Sequence, residues 1–91
     1  MSTTVEIPAT IQSALKVPPT VTVGEGSIRE ILNELFSAWP TLKPRLQAES
    51  GELHRFVNIY VGDSDIRQLE GLETRPAPRE VVTILSAVSG G

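Results

Sequence analysis

The chain has 91 residues and a mass of 9.8 kDa, and its balance of 40% apolar and 21% charged residues is typical of one small globular domain. Eleven acidic and eight basic residues give a net charge of -3, which argues against phosphate neutralisation on nucleic acid and suits a partner with a basic patch. The absence of cysteine excludes disulfides and thiolate sites, and the lack of a long apolar run or a signal-peptide pattern predicts a cytoplasmic protein without a membrane span.

Two short β-rich runs open the chain. Residues 3–7 alternate in polarity and stop at Pro8, and residues 20–23 are closed by glycines at 24 and 26. The pattern predicts two strands joined as a hairpin with a long connection. Within that connection, residues 11–17 are compatible with a loop, a helical turn or a continuation of the first strand.

Residues 27–39 carry the clearest helical pattern. Ser27 and Glu30 have the spacing of a capping box, and Pro40 ends the helix because proline cannot donate to the backbone ladder. The apolar positions follow helical spacing: Ile28, Ile31, Leu32, Leu35, Phe36 and Trp39. Burying them stabilises by roughly 9–18 kcal/mol at most, whereas ordering the segment costs about 20 kcal/mol. The helix must therefore lie against other apolar elements, and a sheet is expected.

The second half of the chain reads as strands joined by polar turns. One further helical turn is predicted over residues 42–46, and a short strand is predicted from Ile66. Residues 80–85 are nearly all apolar or β-branched, which predicts a central strand. A clean alternation predicts a strand over residues 56–61. Its two faces are Val57, Ile59 and Val61 on one side and Phe56, Asn58 and Tyr60 on the other. The order of elements predicts a two-layer α+β roll.

Side chains that could support catalysis are few. His54 is the only histidine and is expected to be a surface or structural residue. Residues 24–27 lack the lysine and further glycine of a phosphate-binding loop, and Asp63, Asp65 and Glu70 do not have the spacing of a calcium loop. Without a nucleophile, a base and an orienting group, the chain is not expected to be an enzyme.

The end of the chain is its most distinctive feature. Residues 1–85 are assigned to the folded domain and residues 86–91 to a flexible tail of small side chains, which reaches about 20 Å when extended. Such a tail can enter a narrow channel, with Ala87, Val88, Ser89 and Gly90 recognised along it and the Gly91 carboxylate presented at its tip. A carboxylate becomes an electrophile only after activation, so the chain is expected to be the substrate of that activation. A frayed end is the alternative.

Binding of such a tail to an enzyme requires additional binding free energy from the folded domain. Ordering six residues costs roughly 6–12 kcal/mol, and small side chains return little apolar surface. We therefore expect a docking patch on the domain, formed by Phe56 and Tyr60 with Arg67 nearby. The alternative is that the two aromatic side chains simply face the helix.

The order of elements together with the terminal Gly90-Gly91 resembles the β-grasp, ubiquitin-like ThiS/MoaD sulfur-carrier family. The resemblance implies a mixed sheet with one main helix. Residues 53–61, followed by Asp65 and Arg67, resemble the members of that family that serve cysteine biosynthesis. Residues 82–85, with Ala87-Val88 before the glycines, are similar to the same members.

The resemblance implies a reaction cycle and its partners. An E1-like activating enzyme of the MoeB/ThiF type adenylates Gly91 with ATP and magnesium, and a sulfur donor converts the adenylate to a thiocarboxylate. A pyridoxal-phosphate-dependent, cysteine synthase-like enzyme takes the sulfur, and a zinc metallopeptidase releases cysteine. The cofactors belong to these enzymes and none is expected on this chain, nor is a metal, a nucleic acid or a membrane.

Three alternatives stay open at this point. Ser86 stands where similar carriers often have proline, and Gly62 replaces a polar turn residue. These departures leave room for a carrier that serves another pathway, such as thiosugar or other secondary-metabolite synthesis, molybdopterin or thiazole. A ubiquitin-like modifier conjugated through Gly91 and a plain binding module are the other two.

Overall fold

Five β-strands form one mixed sheet in the computed structural model, which describes residues 2–86. The strands are β1 (Ser2–Glu6), β2 (Thr20–Gly24), β3 (Val57–Val61), β4 (Ser64–Asp65) and β5 (Val81–Ser86). Their order across the sheet is β2-β1-β5-β3-β4; β1 and β5 run parallel and the other neighbours run antiparallel. The last strand is therefore central, and the first two form a hairpin, which confirms both predictions.

The connection between β1 and β2 contains the first helix, α1 (Ala9–Leu15). It begins after Pro8, whose carbonyl accepts hydrogen bonds from the backbone N–H groups of Ile11 and Gln12. It ends at Lys16, which adopts a left-handed conformation with φ of 56°. Ile11 is buried on the inner side of this helix. Of the three possibilities open from the sequence, the helical one is correct.

The main helix, α2 (Ile28–Ala38), begins with the predicted capping box. The Ser27 backbone N–H donates to Glu30 Oε1 at 2.9 Å, and the Glu30 N–H donates to Ser27 Oγ at 3.2 Å. These two bonds satisfy two backbone donors that a helix start leaves without partners. At the other end, Trp39 caps the helix and its side chain lies half-buried at the rim of the core.

The hydrophobic core lies between α2 and one face of the sheet. Five of the six apolar positions predicted on the helix are buried. A 3₁₀ turn (Pro40–Leu42) and the short helix α3 (Lys43–Leu46) close one end of the core with Leu42 and Leu46. The strands contribute the side chains of one face: Val5, Val23, Val57, Ile59, Val61, Val82 and Ile84.

The structure corrects the predicted start of β3 and the strand predicted from Ile66. β3 begins at Val57, so Phe56 lies in the preceding turn. The short strand expected from Ile66 is instead β4, and Ile66 opens a 3₁₀ turn that runs to Gln68. The reason is the side chain of Asp65, whose Oδ1 accepts from the Arg67 N–H at 2.8 Å and turns the backbone out of the strand.

The last strand ends one residue beyond the predicted domain boundary. β5 includes Ser86, which pairs with Val57, although the sequence assigned Ser86 to the tail. The other residues predicted to form the tail and its recognition sequence, Ala87 to Gly91, lie outside the described residues.

Truncation of one buried side chain of α2 tests how this helix packs on the sheet. Leu35 is fully buried, and Leu35→Ala should lower the free energy of unfolding by about 2–5 kcal/mol, because the sheet below cannot close over the cavity. Ser37→Ala, on the exposed side of the same helix, should change it by less than about 0.5 kcal/mol. Chemical denaturation of the two variants measures both values, and equal effects would contradict this core.

The capping box predicts how stability depends on pH. The pKa of Glu30 lies below its ordinary value of 4.5, mainly because the Ser27 backbone N–H donates to its carboxylate, with smaller contributions from the Ser27 hydroxyl and Arg75. A lowered folded-state pKa means that the stabilisation is present above the unfolded pKa and is lost as the pH falls through the folded pKa.

The stability difference between the wild type and Glu30→Gln should therefore be largest near neutral pH and should shrink below about pH 4.5. Glu49→Gln, an exposed carboxylate on a loop, serves as the control. Thermal unfolding midpoints across this pH range provide the measurement. A difference for Glu30→Gln that stays constant with pH would show that the carboxylate charge does not matter.

Candidate functional site

Within residues 2–86, no helix packs against one of the two faces of the sheet. Because successive strand residues point to opposite faces, the residues between the buried positions form this open face. It is made of Thr4 and Glu6 on β1, Thr20 and Thr22 on β2, Asn58 and Tyr60 on β3, and Val81, Thr83 and Leu85 on β5. The face is therefore a surface available to a partner, and β5 crosses its middle.

The open face is divided into a polar and a more apolar half. The half on β2 and β1 carries threonines and Glu6, whose Oε1 accepts from Thr83 Oγ1 at 3.1 Å across the parallel strand pair. The half on β5 and β3 carries Tyr60 and Leu85. The apolar half lies next to Ser86, the last described residue.

Tyr60 faces away from the helices. Val57, Ile59 and Val61 are buried in the core, and Tyr60 alternates with them on the open face, directly opposite Thr83. The alternative that this aromatic side chain faces α2 is therefore wrong. Tyr60 is half-buried on this face.

Phe56 is exposed, but for a different reason from the one that the sequence suggested. It lies in the turn before β3, and 38% of its surface is accessible. Its ring stacks on His54, with 5.0 Å between ring centroids and 8° between planes. His54 Nε2 also lies 3.0 Å from the Pro44 carbonyl, so this histidine links the turn to α3, as expected of a structural residue.

Arg67 is held against the beginning of β3. Its Nη1 donates to Asn58 Oδ1 at 2.8 Å, and its Nη2 donates to the Val57 carbonyl at 2.9 Å. Since Asn58 belongs to the open face, these bonds bring the guanidinium to the same face as Tyr60. Val57 and Asn58 pair with Ser86 and Leu85, so the positive charge lies one strand away from the end of β5.

Leu85 is the docking candidate that the sequence analysis missed. It was assigned to a continuous buried strand, yet 45% of its surface is exposed. A signal was present in the sequence: a single main helix can cover only one face of a sheet, so every second residue of the strand must face solvent. Val82 and Ile84 fill the buried positions, which leaves Leu85 outside.

Other sequence features have structural roles in the described residues. The glycine-containing turn at 24–27 leads into the capping box, and its Gly24 N–H donates to Glu34 Oε2 at 2.6 Å. Within residues 2–86, no group of three or more His, Cys, Asp or Glu is placed to hold a metal ion. None of the helices in that range is long and apolar enough to cross a membrane.

Comparison with known proteins identifies relatives over the whole chain. The ThiS family model matches residues 5–91. The sulfur carrier protein CysO of Mycobacterium tuberculosis is 38% identical over 93 aligned positions, which cover 100% of both chains. The similarity therefore includes the open face, the end of β5 and the terminal glycines alike.

Solved structures agree with the sequence comparison. A chain in the crystal structure of the Amycolatopsis orientalis BexX/CysO complex is similar to this protein, with a TM-score of 0.84 and 36% identity. The match covers 98% of this chain and 99% of that chain. Small archaeal modifier protein 1 from Methanosarcina acetivorans gives a TM-score of 0.79 and 29% identity over 99% of this chain and 96% of that one. The ubiquitin-like β-grasp roll expected from the sequence is thereby confirmed.

Proposed function

Because the chain belongs to the ThiS family, we propose that it is a sulfur carrier whose Gly91 carboxylate is adenylated and then converted to a thiocarboxylate. The sulfur is delivered to a biosynthetic acceptor, and cysteine is the product that the likeness to CysO favours. The chain acts as the protein substrate of its partner enzymes, in the cytoplasm, where ATP is available.

The observation that carries this proposal is the full-length similarity to CysO, which extends through the terminal glycines. The geometry of the domain supports it. The central strand β5 ends beside the apolar half of the open face, and Gly91 lies five positions after Ser86. An enzyme that docks on that half reaches the end of the chain over about 17 Å of extended backbone.

The chemistry needs little from this chain beyond a reachable carboxylate. One Gly91 oxygen attacks the α-phosphate of ATP on an E1-like enzyme and releases pyrophosphate. A sulfide equivalent then displaces AMP and leaves sulfur in place of one carboxylate oxygen. Ala87, Val88, Ser89 and Gly90 present no bulky side chain, so they can line a narrow enzyme channel.

The acceptor side of the cycle is part of the same proposal. A pyridoxal-phosphate-dependent, cysteine synthase-like enzyme joins the thiocarboxylate sulfur to the carbon skeleton of cysteine, and an acyl shift from sulfur to nitrogen leaves cysteine in amide linkage to Gly91. A zinc metallopeptidase hydrolyses that amide and frees the amino acid. ATP, magnesium, pyridoxal phosphate and zinc are bound by these partners. We propose that Tyr60, Arg67 and Leu85, with Phe56 at the margin, form the docking surface that several partners share.

Protein modification is the second candidate function. The similarity to small archaeal modifier protein 1, at 29% identity and a TM-score of 0.79, favours it. A modifier uses the same activated Gly91 but transfers it to lysine amines of other proteins, forming an isopeptide bond. Delivery of sulfur to thiosugar or other secondary-metabolite, molybdopterin or thiazole synthesis uses the same thiocarboxylate and differs only in the acceptor.

Intact-mass spectrometry tests the carrier function. Incubation with the E1-like enzyme, ATP, magnesium and a sulfide source should replace one oxygen of the chain by one sulfur. Deletion of Gly91 should abolish the change, because the remaining terminus cannot reach the nucleotide. Unchanged mass for the full chain would contradict the proposal, and conjugates linked through Gly91 in cells, without a thiocarboxylate, would favour the modifier.

Two equally exposed leucines test the docking surface. Leu85 lies on the open face and Leu69 lies after the Ile66–Gln68 turn, and they are 45% and 46% exposed. Leu85→Ala should raise the KM of adenylation by about tenfold, as expected for an apolar contact in an interface, and leave kcat similar. Leu69→Ala is the matched control, with KM expected within about twofold of wild type. Equal effects would exclude this half of the face as the docking surface.

A further inference from the structure

The end of β5 has a strand beside it on one edge only. β1 pairs with β5 over Val81–Thr83 and goes no further. The pairing of β5 with β3 extends to Ser86. In the described part of the chain, Ile84–Ser86 therefore have β3 on one edge and no strand on the other. The central strand becomes an edge strand for its last three residues.

The departure of β1 is fixed by specific bonds. The Ile7 N–H donates to the Pro19 carbonyl at 2.9 Å, and the Ile7 carbonyl accepts from Gln12 Nε2 at 2.7 Å. Both backbone groups of Ile7 are thus satisfied by partners other than β5. Pro8 follows and begins α1. The free edge is consequently part of the fold, because the chain that could have covered it is held elsewhere.

The alternation of hydrogen bonds along the β3–β5 pair shows which backbone groups of β5 are free. The Gly62 N–H donates to the Val81 carbonyl at 3.1 Å, in register with the β3–β5 ladder. Opposed residues of an antiparallel ladder exchange hydrogen bonds at every second pair, so the bond at Gly62–Val81 implies further bonded pairs at Tyr60–Thr83 and Asn58–Leu85. The backbone N–H and carbonyl of Leu85 therefore point to β3. Ile84 and Ser86 direct theirs to the other edge. The Ile84 carbonyl and the Ser86 N–H and carbonyl lie beyond the pairing with β1.

A groove of about 320 Å³ lies along this free edge. Ile7 and Ile84 are buried at its base, and Pro8, Pro19 and Thr20 line it. The two prolines have no N–H, so they do not offer donors that compete with the edge of β5. The groove thus combines an apolar base with free strand groups, the two elements that recognition of an extended peptide requires.

We propose that the free edge at Ile84–Ser86 receives an extended segment of the activating enzyme, which adds to the sheet as a strand and places side chains in the groove. The proposal rests on the proposed function. Five small residues follow Ser86, and their side chains give an enzyme little to hold. Ser86, unlike the proline that similar carriers often have there, offers a backbone N–H as well as a carbonyl. Backbone hydrogen bonds that begin at Ser86 therefore set the register of the segment leading to Gly91 without depending on side chains.

A second copy of this chain fits the edge less well. Three edge residues and a groove of this size bury far less surface than the roughly 1,200–2,000 Å² of a stable protein interface. An enzyme that also docks on the apolar half of the open face adds that area to the edge contact. The geometry therefore favours the enzyme as the occupant.

Removal of one backbone donor tests the edge directly. Ser86→Pro removes the N–H, and proline is compatible with the fold there because that group points away from β3. Ser86→Ala keeps the N–H and serves as the reference. Relative to Ser86→Ala, Ser86→Pro should raise the KM for adenylation about three- to tenfold, as expected for one lost hydrogen bond, with kcat similar.

A second pair of variants tests the groove without altering the backbone of β5. Thr20 and Thr22 are both exposed on the same face of β2, and only Thr20 lines the groove. Thr20→Arg should raise KM at least about fivefold, because the arginine side chain competes for the groove. Thr22→Arg adds the same charge and should stay within about twofold of wild type. This comparison holds even if Ser86→Pro fails to fold.

Hydrogen exchange of the Ser86 amide, followed by NMR in the free chain and in the complex with the E1-like enzyme, gives the direct readout. Protection on binding, together with the KM changes, supports strand addition. Adenylation with unchanged exchange, and unchanged KM for both Ser86→Pro and Thr20→Arg, overturns this inference and leaves the proposed function intact. A wild-type chain that is never adenylated overturns both. A wild-type dimer that Ser86→Pro dissociates assigns the edge to a second copy and also overturns the inference.

Discussion

The burial of α2 on one face of the sheet is the constraint on which the rest of the structure depends. The helix cannot offset the entropy of its own ordering, so its apolar side chains must be covered by strands. A chain of this size supplies one main helix, and a single helical layer covers one face. Within the described residues the opposite face of the same sheet carries no helix, and it is the face on which we propose that partners dock.

The parallel pairing of β1 and β5 adds a second constraint. It joins strands from the two ends of the chain, and the hydrogen bond between Thr83 and Glu6 spans 77 positions of sequence. The last strand is thereby held in the middle of the sheet, supported by the core below. Ser86, the last described residue, extends beyond the pairing with β1 and is held by its pairing with Val57 on β3.

The local features of this protein could be predicted because each depends on residues close in sequence. The capping box needs only Ser27 and Glu30, and the alternation of β3 follows from its own side chains. Predictions failed where a single side chain redirected the backbone. Asp65 caps a turn and ends the strand expected at Ile66, and the stacking of Phe56 on His54 belongs to the turn before β3.

The sequence by itself determined the class of the fold, the main helix and the terminal Gly90-Gly91 that ties the chain to its family. Only the tertiary structure decided that Leu85 faces solvent, that Arg67 reaches the open face, and that β1 leaves β5 after Glu6. The physical reason is the range of the interactions involved. Caps and periodicity act between near neighbours, whereas the exposure of a strand residue depends on which distant elements lie above and beside it.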